Sequence, residues 1–420
     1  MTRIPSDGVP ESSLSFLADP YRFIGRRAQQ LRSDVFATRL LGRRTVCLYG
    51  PEAARLFYDT GRMQRARAMP RRVIRTLLGA GGVQGLDGAA HRKRKAMFLE
   101  LATGGRVDRL LEHSGQQWTA HAHRWRTQGG VCLYRGAGDL LAEAAFAWVG
   151  LVLDEAEARR RTPDVVALFD GAGAVGARHW KARLARMRLE RWLAGIVEDV
   201  RRGRVGCDPE SPLAHVARHL DVDGQPLDPR VAAVEVLNLV RPVVAVSVYI
   251  CFVAHALHRH PEQSARIGAG GRELEAFVQE VRRFYPFFPA VAARTCSAFT
   301  WNGLDFPDGV RVMLDLYGTG HDPRYWRDPA TFDPRRFEGD VDTVFSLIPQ
   351  GGGIHAEGHR CPGEWITMAL MRQAAQVLGG LGFTVEGEPE IDFRRLPALP
   401  DGGMRLRLDK GDVGSARGRS

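Results

Sequence analysis

Ile348–Ile366 reads IPQGGGIHAEGHRCPGEWI, a run in which consecutive glycines open a loop and a cysteine closes it just ahead of an apolar stretch. Glycine has no Cβ, so Gly351, Gly352, Gly353 and Gly358 let backbone approach something flat or large, and Gly363 lets the chain turn tightly into a helix expected from about Gly363 to Leu381. Cys361 then sits near a helix N-terminus, where backbone N–H groups and the helix dipole favour a thiolate, the form that acts as ligand or nucleophile. Three chemistries fit such a cysteine. His355, His359 and Cys361 could hold zinc, although structural zinc brings paired ligands at short spacing and no fourth ligand is evident. His359 could be the base of a nucleophilic Cys361, although no protease or transferase elbow surrounds it. A proximal thiolate to haem iron accounts for the loop, the cysteine and the following helix together.

Two distant features favour haem. Glu280 and Arg283 stand three apart on a helix in EVRRFYPF, and Arg336 lies in FDPRRF. A buried Glu-Arg-Arg network is a structural brace, because each buried charge needs its partner.

The rest of the chain is consistent with an enclosed site. At 420 residues and 46.5 kDa, with 44% hydrophobic and 25% charged residues, it is long enough to bury one, and its composition excludes a disordered chain, a fibre or a polytopic membrane protein. The net charge is +11, and only Lys93, Lys95, Lys181 and Lys410 among 59 basic residues are not arginine. These arginines are spread along the chain and mixed with Asp and Glu, so no nucleic-acid partner is expected; an anionic small ligand stays open, since one or two arginines suffice for a carboxylate. The six cysteines are far apart without a CxxC pair, and MTRIPSDGVPESSLSF has no apolar signal core. Neither disulfides nor secretion is expected, and a cytoplasmic protein is. Pro242 to Ala256 is too short an apolar stretch for a bilayer span and reads as a buried helix, so no integral membrane segment is expected.

Strand-like pieces at Asp34 to Arg39 and Arg44 to Tyr49 point to a small sheet near the N-terminus, with a helix at Pro51 to Tyr58. Helical periodicity dominates from about 88 to 285, as in Val107 to Arg126, Gly138 to Val152 and Trp180 to Arg201. The fold class is therefore mainly α with a small β region: one domain over residues 1–410, with a small N-terminal β-rich part and a large helical part, and a flexible tail at 411–420.

Between Asp228 and Arg259 one helix of more than 30 residues is expected, with Asp228 as N-cap and Pro229 in its first turn. Arg241 and Pro242 sit in its middle among Val and Leu. Pro242 removes one backbone hydrogen bond, frees the Asn238 carbonyl and is expected to kink the helix. Arg241 keeps its charge and needs an anionic partner or a wet cavity. Either Glu235 or Asn238, at helical spacing, satisfies it internally, or it faces a cavity and binds a ligand carboxylate.

ExxR, then P-x-R-F, then a Gly-rich loop to cysteine resembles the cytochrome P450 superfamily in order and spacing. Members commonly carry an aromatic seven residues before the cysteine and a glycine four before it; here Ile354 and Glu357 stand there. PQGGGxxxxGHRCPGE instead resembles the bacterial fatty-acid peroxygenase branch, whose hydroxylases and decarboxylases use hydrogen peroxide. The long helix agrees, because Arg241-Pro242-Val243-Val244-Ala245 replaces the acid-alcohol pair with which ordinary monooxygenases deliver protons. AMPRRVIRTLLG, GLDGAAHRKRKAMF, GAGAVGARHWK and LDLYGTGHDPR extend the resemblance over nearly the whole chain.

The resemblance implies a cytochrome P450 fold, with haem b between the long helix and the cysteine loop. It implies Cys361 as axial iron ligand, and Arg65, His91, Lys95 and Arg360 at the haem propionates. It gives Arg241 and Pro242 to the carboxylate of a fatty acid, which then serves as its own general acid-base toward hydrogen peroxide, with no redox partner protein. Gln84 falls where glutamine marks the hydroxylases and histidine the alkene-forming decarboxylases, so hydroxylation at Cα or Cβ is implied. Leu78, Phe169, Ala172 and Phe287 match positions lining the acyl channel, although any of them is equally read as plain core.

Overall fold

The computed structural model describes residues 3–408 except 175 and 269; the tail expected at 411–420 lies outside the described residues. The long helix runs Pro229–Arg259, and its first turn is capped as its sequence dictates: the Asp228 side chain accepts from the Arg230 N–H, and Pro229, with no N–H to lose, opens it. Between its exposed ends it is buried on nearly every side and apolar apart from Glu235, Asn238, Arg241 and a few other polar residues, the pattern of a helix crossing a protein interior. Leu133–Val149, Ala177–Arg201, Glu155–Asp170 and Glu364–Leu381 pack around it. An 18-residue window of this helix is apolar enough to cross a bilayer, but 94% of that window is buried inside the protein. The helix is continuous through Pro242; the expected kink does not break it, because one missing N–H leaves the surrounding turns and their packing intact.

Helix boundaries fall within a few residues of those the periodicity implies. Gly105–Gln128, Leu133–Val149 and Ala177–Arg201 are observed, the first two stopping at Gly129 and Gly150 in left-handed conformation. The sheet differs more from expectation. Val35–Leu40 and Arg43–Leu48 form the two strands expected there and pair antiparallel, but Arg311–Asp315 adds to them in parallel, followed by Ala290–Thr295 and Met63–Gln64. Two of the sheet's five strands therefore come from a region whose frequent Pro and Gly hide them. The sheet and the helices have separate apolar cores, and Phe288 packs against both.

Candidate functional site

The glycine loop is held by its backbone. The Cys361 N–H donates to the Gln350 carbonyl at 3.0 Å. Gly351 and Gly353 have φ of +101° and +82°, and a Cβ on Gly352 would lie 2.8 Å from the Val344 carbonyl oxygen, so three glycines are required. A Cβ on Gly358 or Gly363 would meet only ordinary contacts; neither is needed for the turn itself. Cys361 lies two residues before the helix cap at Gly363. The thiolate expected there is not favoured by the protein alone: burial pushes the thiol above its ordinary value, against the Gly363 N–H and the Lys95 and Arg241 charges. A metal that claims the sulfur would deprotonate it outright.

Glu364, buried in the first turn of the following helix, ties the loop down. It accepts from Arg360 Nε at 2.7 Å, from His355 Nε2 at 3.0 Å and from Arg282. Burial pushes its carboxyl up, but these donors outweigh it and hold the group well below the usual carboxylate range. Arg282 Nε also donates to Gln350 Oε1 at 3.1 Å, so the loop is tied to helix Gly271–Phe284. That helix also carries Glu280 and Arg283. Arg283 donates from Nε and Nη2 to the two Glu280 oxygens at 2.7 Å each, and to the carbonyls of Gly320, Pro329 and Thr331. Arg336 reaches the same carboxylate at 3.2 Å. The three residues read as a brace are thus brought together.

A second group gathers beside the loop. Arg65 is buried, with Nη1 donating to the Ala292 carbonyl at 2.8 Å. Asp87 turns back from the start of helix Gly88–Leu101 to accept the N–H groups of Arg65 and Ala66. His359 lies 3.4 Å from Asp87 and stacks on His91 with ring centroids 3.9 Å apart. Lys95 donates to the Arg360 carbonyl at 2.5 Å and to that of Gly358. Burial, with neighbouring positive groups, pulls His91 down to about 3 and Lys95 to about 8. Arg65, His91, Lys95 and His359 gather with one carboxylate among them beside a cysteine on a close-approach loop, a set whose chemistry fits the anionic edge of a haem. Arg360 is drawn elsewhere: three of its nitrogens donate to Glu364 and the Gly353 carbonyl, so its side chain braces the loop.

This arrangement also weighs the other two readings of Cys361. Among the described residues no three His, Cys, Asp or Glu side chains converge as metal ligands. His355 stacks on Trp365 and bonds Glu364, while His359 is engaged with Asp87 and His91.

On the long helix, of the two internal partners named for Arg241, Asn238 meets it and Glu235 is engaged elsewhere. Glu235 is not its partner: one Glu235 oxygen accepts from Arg94 at 2.7 Å and the Val83 N–H at 2.9 Å, the other from Asn238 Nδ2 at 2.8 Å. Arg241 donates from Nη2 to Asn238 Oδ1 at 3.1 Å, its Nε is buried without a partner, and it forms no ion pair among the described residues. Burial, with repulsion from the fully buried Arg186 and against the pull of Cys361, brings the guanidinium down to about 9. Gln84, half-buried in the turn Val83–Gly85, accepts from Asn238 Nδ2 at 3.2 Å. Leu78, Phe169, Ala172 and Phe287 all belong to the helical core, with Phe287 stacked on Tyr249 at 4.4 Å.

Asp87, Arg94, Arg282 and Glu364 do not stand out in the sequence. Glu364 directly follows CPG and Asp87 stands where a helix cap belongs, so both carry a local signal. Arg94 and Arg282 carry none, since an arginine in an arginine-rich chain does not announce burial.

A family model described as cytochrome P450 matches residues 273–378. Among curated proteins the chain is similar to cytochrome P450 4A7 of Oryctolagus cuniculus, 28% identical over 184 residues, 38% of this chain and 35% of that protein. It is also similar to ferruginol synthase of Salvia miltiorrhiza, 33% identical over 110 residues, 25% of this chain and 21% of that one. These matches span about a third or less of the relatives' length. Solved structures match more fully. Cytochrome P450SP alpha in complex with (R)-ibuprophen is 46% identical, with a TM-score of 0.93 over 95% of this chain and 98% of that chain. Cytochrome P450EX alpha with myristic acid is 39% identical, with a TM-score of 0.93 over 97% and 99%. A variant of cytochrome P450 OleT in complex with arachidonic acid is 30% identical, with a TM-score of 0.92 over 97% and 98%.

Proposed function

We propose that this chain, which belongs to the cytochrome P450 family, is a cytoplasmic fatty-acid peroxygenase that hydroxylates its substrate at Cα or Cβ with hydrogen peroxide and without a redox partner protein. The observation that carries this reading is Arg241: a buried guanidinium in the middle of the long helix, bonded to one neutral oxygen and, among the described residues, to no carboxylate. Such a group favours a ligand that brings the missing charge, and a carboxylate matches its fork of donors. Two of the solved relatives hold fatty acids, myristic and arachidonic.

Cys361 would hold haem b, with Arg65, His91 and Lys95 placed to meet its propionates, and the group so held would supply the chemistry of O–O cleavage and oxygen insertion. Arg241 fixes the fatty-acid carboxylate beside the peroxide. Next to it Pro242 has no N–H, and Val243, Val244 and Ala245 bring no proton donor, so the carboxylate oxygen is the group that moves the peroxide proton from one oxygen to the other. The balance is fatty acid plus hydrogen peroxide to hydroxy acid plus water. Anchoring the acid end presents Cα or Cβ for attack, with Leu78, Phe169, Ala172 and Phe287 as apolar wall for the chain. Gln84 cannot titrate, which favours hydroxylation over loss of carbon dioxide.

Product analysis with hydrogen peroxide and a series of chain lengths tests the reading. A 2- or 3-hydroxy acid is expected; a terminal alkene would make the chain a decarboxylase, and no product with haem in place would make it a fatty-acid binding protein. Haem ligation is checked by a thiolate-type Soret band in the reduced carbon-monoxide complex, expected to be lost in Cys361→Ser.

A further inference from the structure

The hydrogen bonds behind Arg241 run in one direction, and that direction is set far from it. Arg94, buried on helix Gly88–Leu101, contacts Glu235 Oε1 at 2.7 Å. Arginine does not give up its proton. Burial alone pushes the Glu235 carboxyl up, but Arg94 and the Val83 N–H both donate to it, so its oxygens act as acceptors. Glu235 Oε2 therefore takes an N–H of Asn238, one turn along the same helix face, at 2.8 Å. The second Asn238 N–H goes to Gln84 Oε1 at 3.2 Å. With both amide hydrogens used, Asn238 has only Oδ1 left to face Arg241, and it accepts from Nη2 at 3.1 Å. Gln84, with its carbonyl taken, keeps its own amide N–H groups as donors.

We propose that Asn238 is a positioning residue whose amide polarity, imposed by the Arg94–Glu235 pair, orients Arg241 through a neutral acceptor and so leaves the arginine's full charge for the substrate carboxylate. The proposal rests on the carboxylate-binding reading of Arg241. A carboxylate at position 238 would hold the guanidinium and, with Glu235 Oε2 2.8 Å from that position, share one proton with Glu235, which moves negative charge towards Arg241. An apolar residue would leave the charge on Arg241 intact and lose its orientation, together with the donors Asn238 gives to Glu235 Oε2 and Gln84 Oε1.

This ordering separates positioning from mere stabilisation. Calorimetric titration of the haem-loaded full-length protein with myristic acid, with 1-tetradecanol as the ligand lacking a carboxylate and imidazole as a reporter of the haem pocket, is expected to show Asn238→Asp at least about tenfold weaker for myristate. Asn238→Leu should be weaker by only a few-fold, and imidazole affinity should change in neither. Myristate affinity of Asn238→Asp within twofold of wild type, or a larger loss in Asn238→Leu than in Asn238→Asp, overturns the proposal. Should Asn238→Asp not take up haem, Asn238→Leu decides: weakened myristate with unchanged imidazole supports positioning, and unchanged myristate overturns it. A wild type that binds myristate no better than 1-tetradecanol defeats the carboxylate reading and the proposal with it. A wild type that discriminates, with variants that behave identically, defeats the positioning role alone.

Discussion

Arg283 and Arg241 are both buried arginines on helices that border the same site, and their surroundings are opposite. Arg283 has the Glu280 carboxylate bidentate at 2.7 Å and three carbonyl acceptors besides. Arg241 has one amide oxygen, an unpartnered Nε and a like charge nearby on Arg186. A buried cation with every donor satisfied belongs to the scaffold; one held by a single neutral group is kept available. The region around Glu280, Arg283 and Arg336 is thus complete without a ligand, whereas the guanidinium of Arg241 has a neutral acceptor and, among the described residues, no carboxylate, the difference on which its proposed role as an anion site rests.

The largest effect that could break this contrast lies on the scaffold side. Arg283→Ala leaves Glu280 buried with Arg336 as its only remaining charged partner, and is expected to cost about 3–5 kcal/mol of stability in denaturant unfolding; a loss below about 1 kcal/mol would remove the brace. Arg241→Met reverses the pattern. Its stability should equal or exceed that of wild type, because an uncompensated buried charge has gone. Fatty-acid binding should weaken by about 2–5 kcal/mol, at least thirtyfold, in titration calorimetry. Equal losses of stability in the two variants would show that Arg241 is scaffold as well. Glu364→Gln sharpens the contrast at the cysteine loop, with an expected cost near neutral pH of about 1–3 kcal/mol from the weakened contacts to Arg282, Arg360 and His355. The Glu364 pKa in the fold lies below its ordinary 4.5, so its contribution is complete above 4.5 and is lost only as pH falls through the lower folded value. The stability gap between wild type and Glu364→Gln should therefore be flat from pH 7 to about 4.5 and narrow below that.

Features of the site that depend on neighbours along the chain are legible in the residues themselves. Glu280 and Arg283 are three apart on a helix, which puts them on one face. The glycines preceding Cys361 fix a loop, and Asp228–Pro229 fixes the start of the long helix. The sequence also offers Glu235 and Asn238 as rival partners for Arg241, and it has no means of choosing. That choice depends on Arg94, which reaches Glu235 across 141 positions of sequence. His91 meets His359, and Arg282 meets Glu364, across similarly long gaps in the chain. The strands at 290–315 escape the periodicity for the same reason, since short segments among Pro and Gly declare themselves only when they pair with Arg43–Leu48.

By itself, then, the sequence determined which groups are present and how those within a turn or two of helix are arranged, because backbone periodicity fixes such neighbours wherever the helix goes. Tertiary structure alone decided which charges are compensated. A carboxylate can answer only the cation that packing brings within hydrogen-bond reach, and among the described residues packing brings Arg94 to Glu235 and no carboxylate to Arg241.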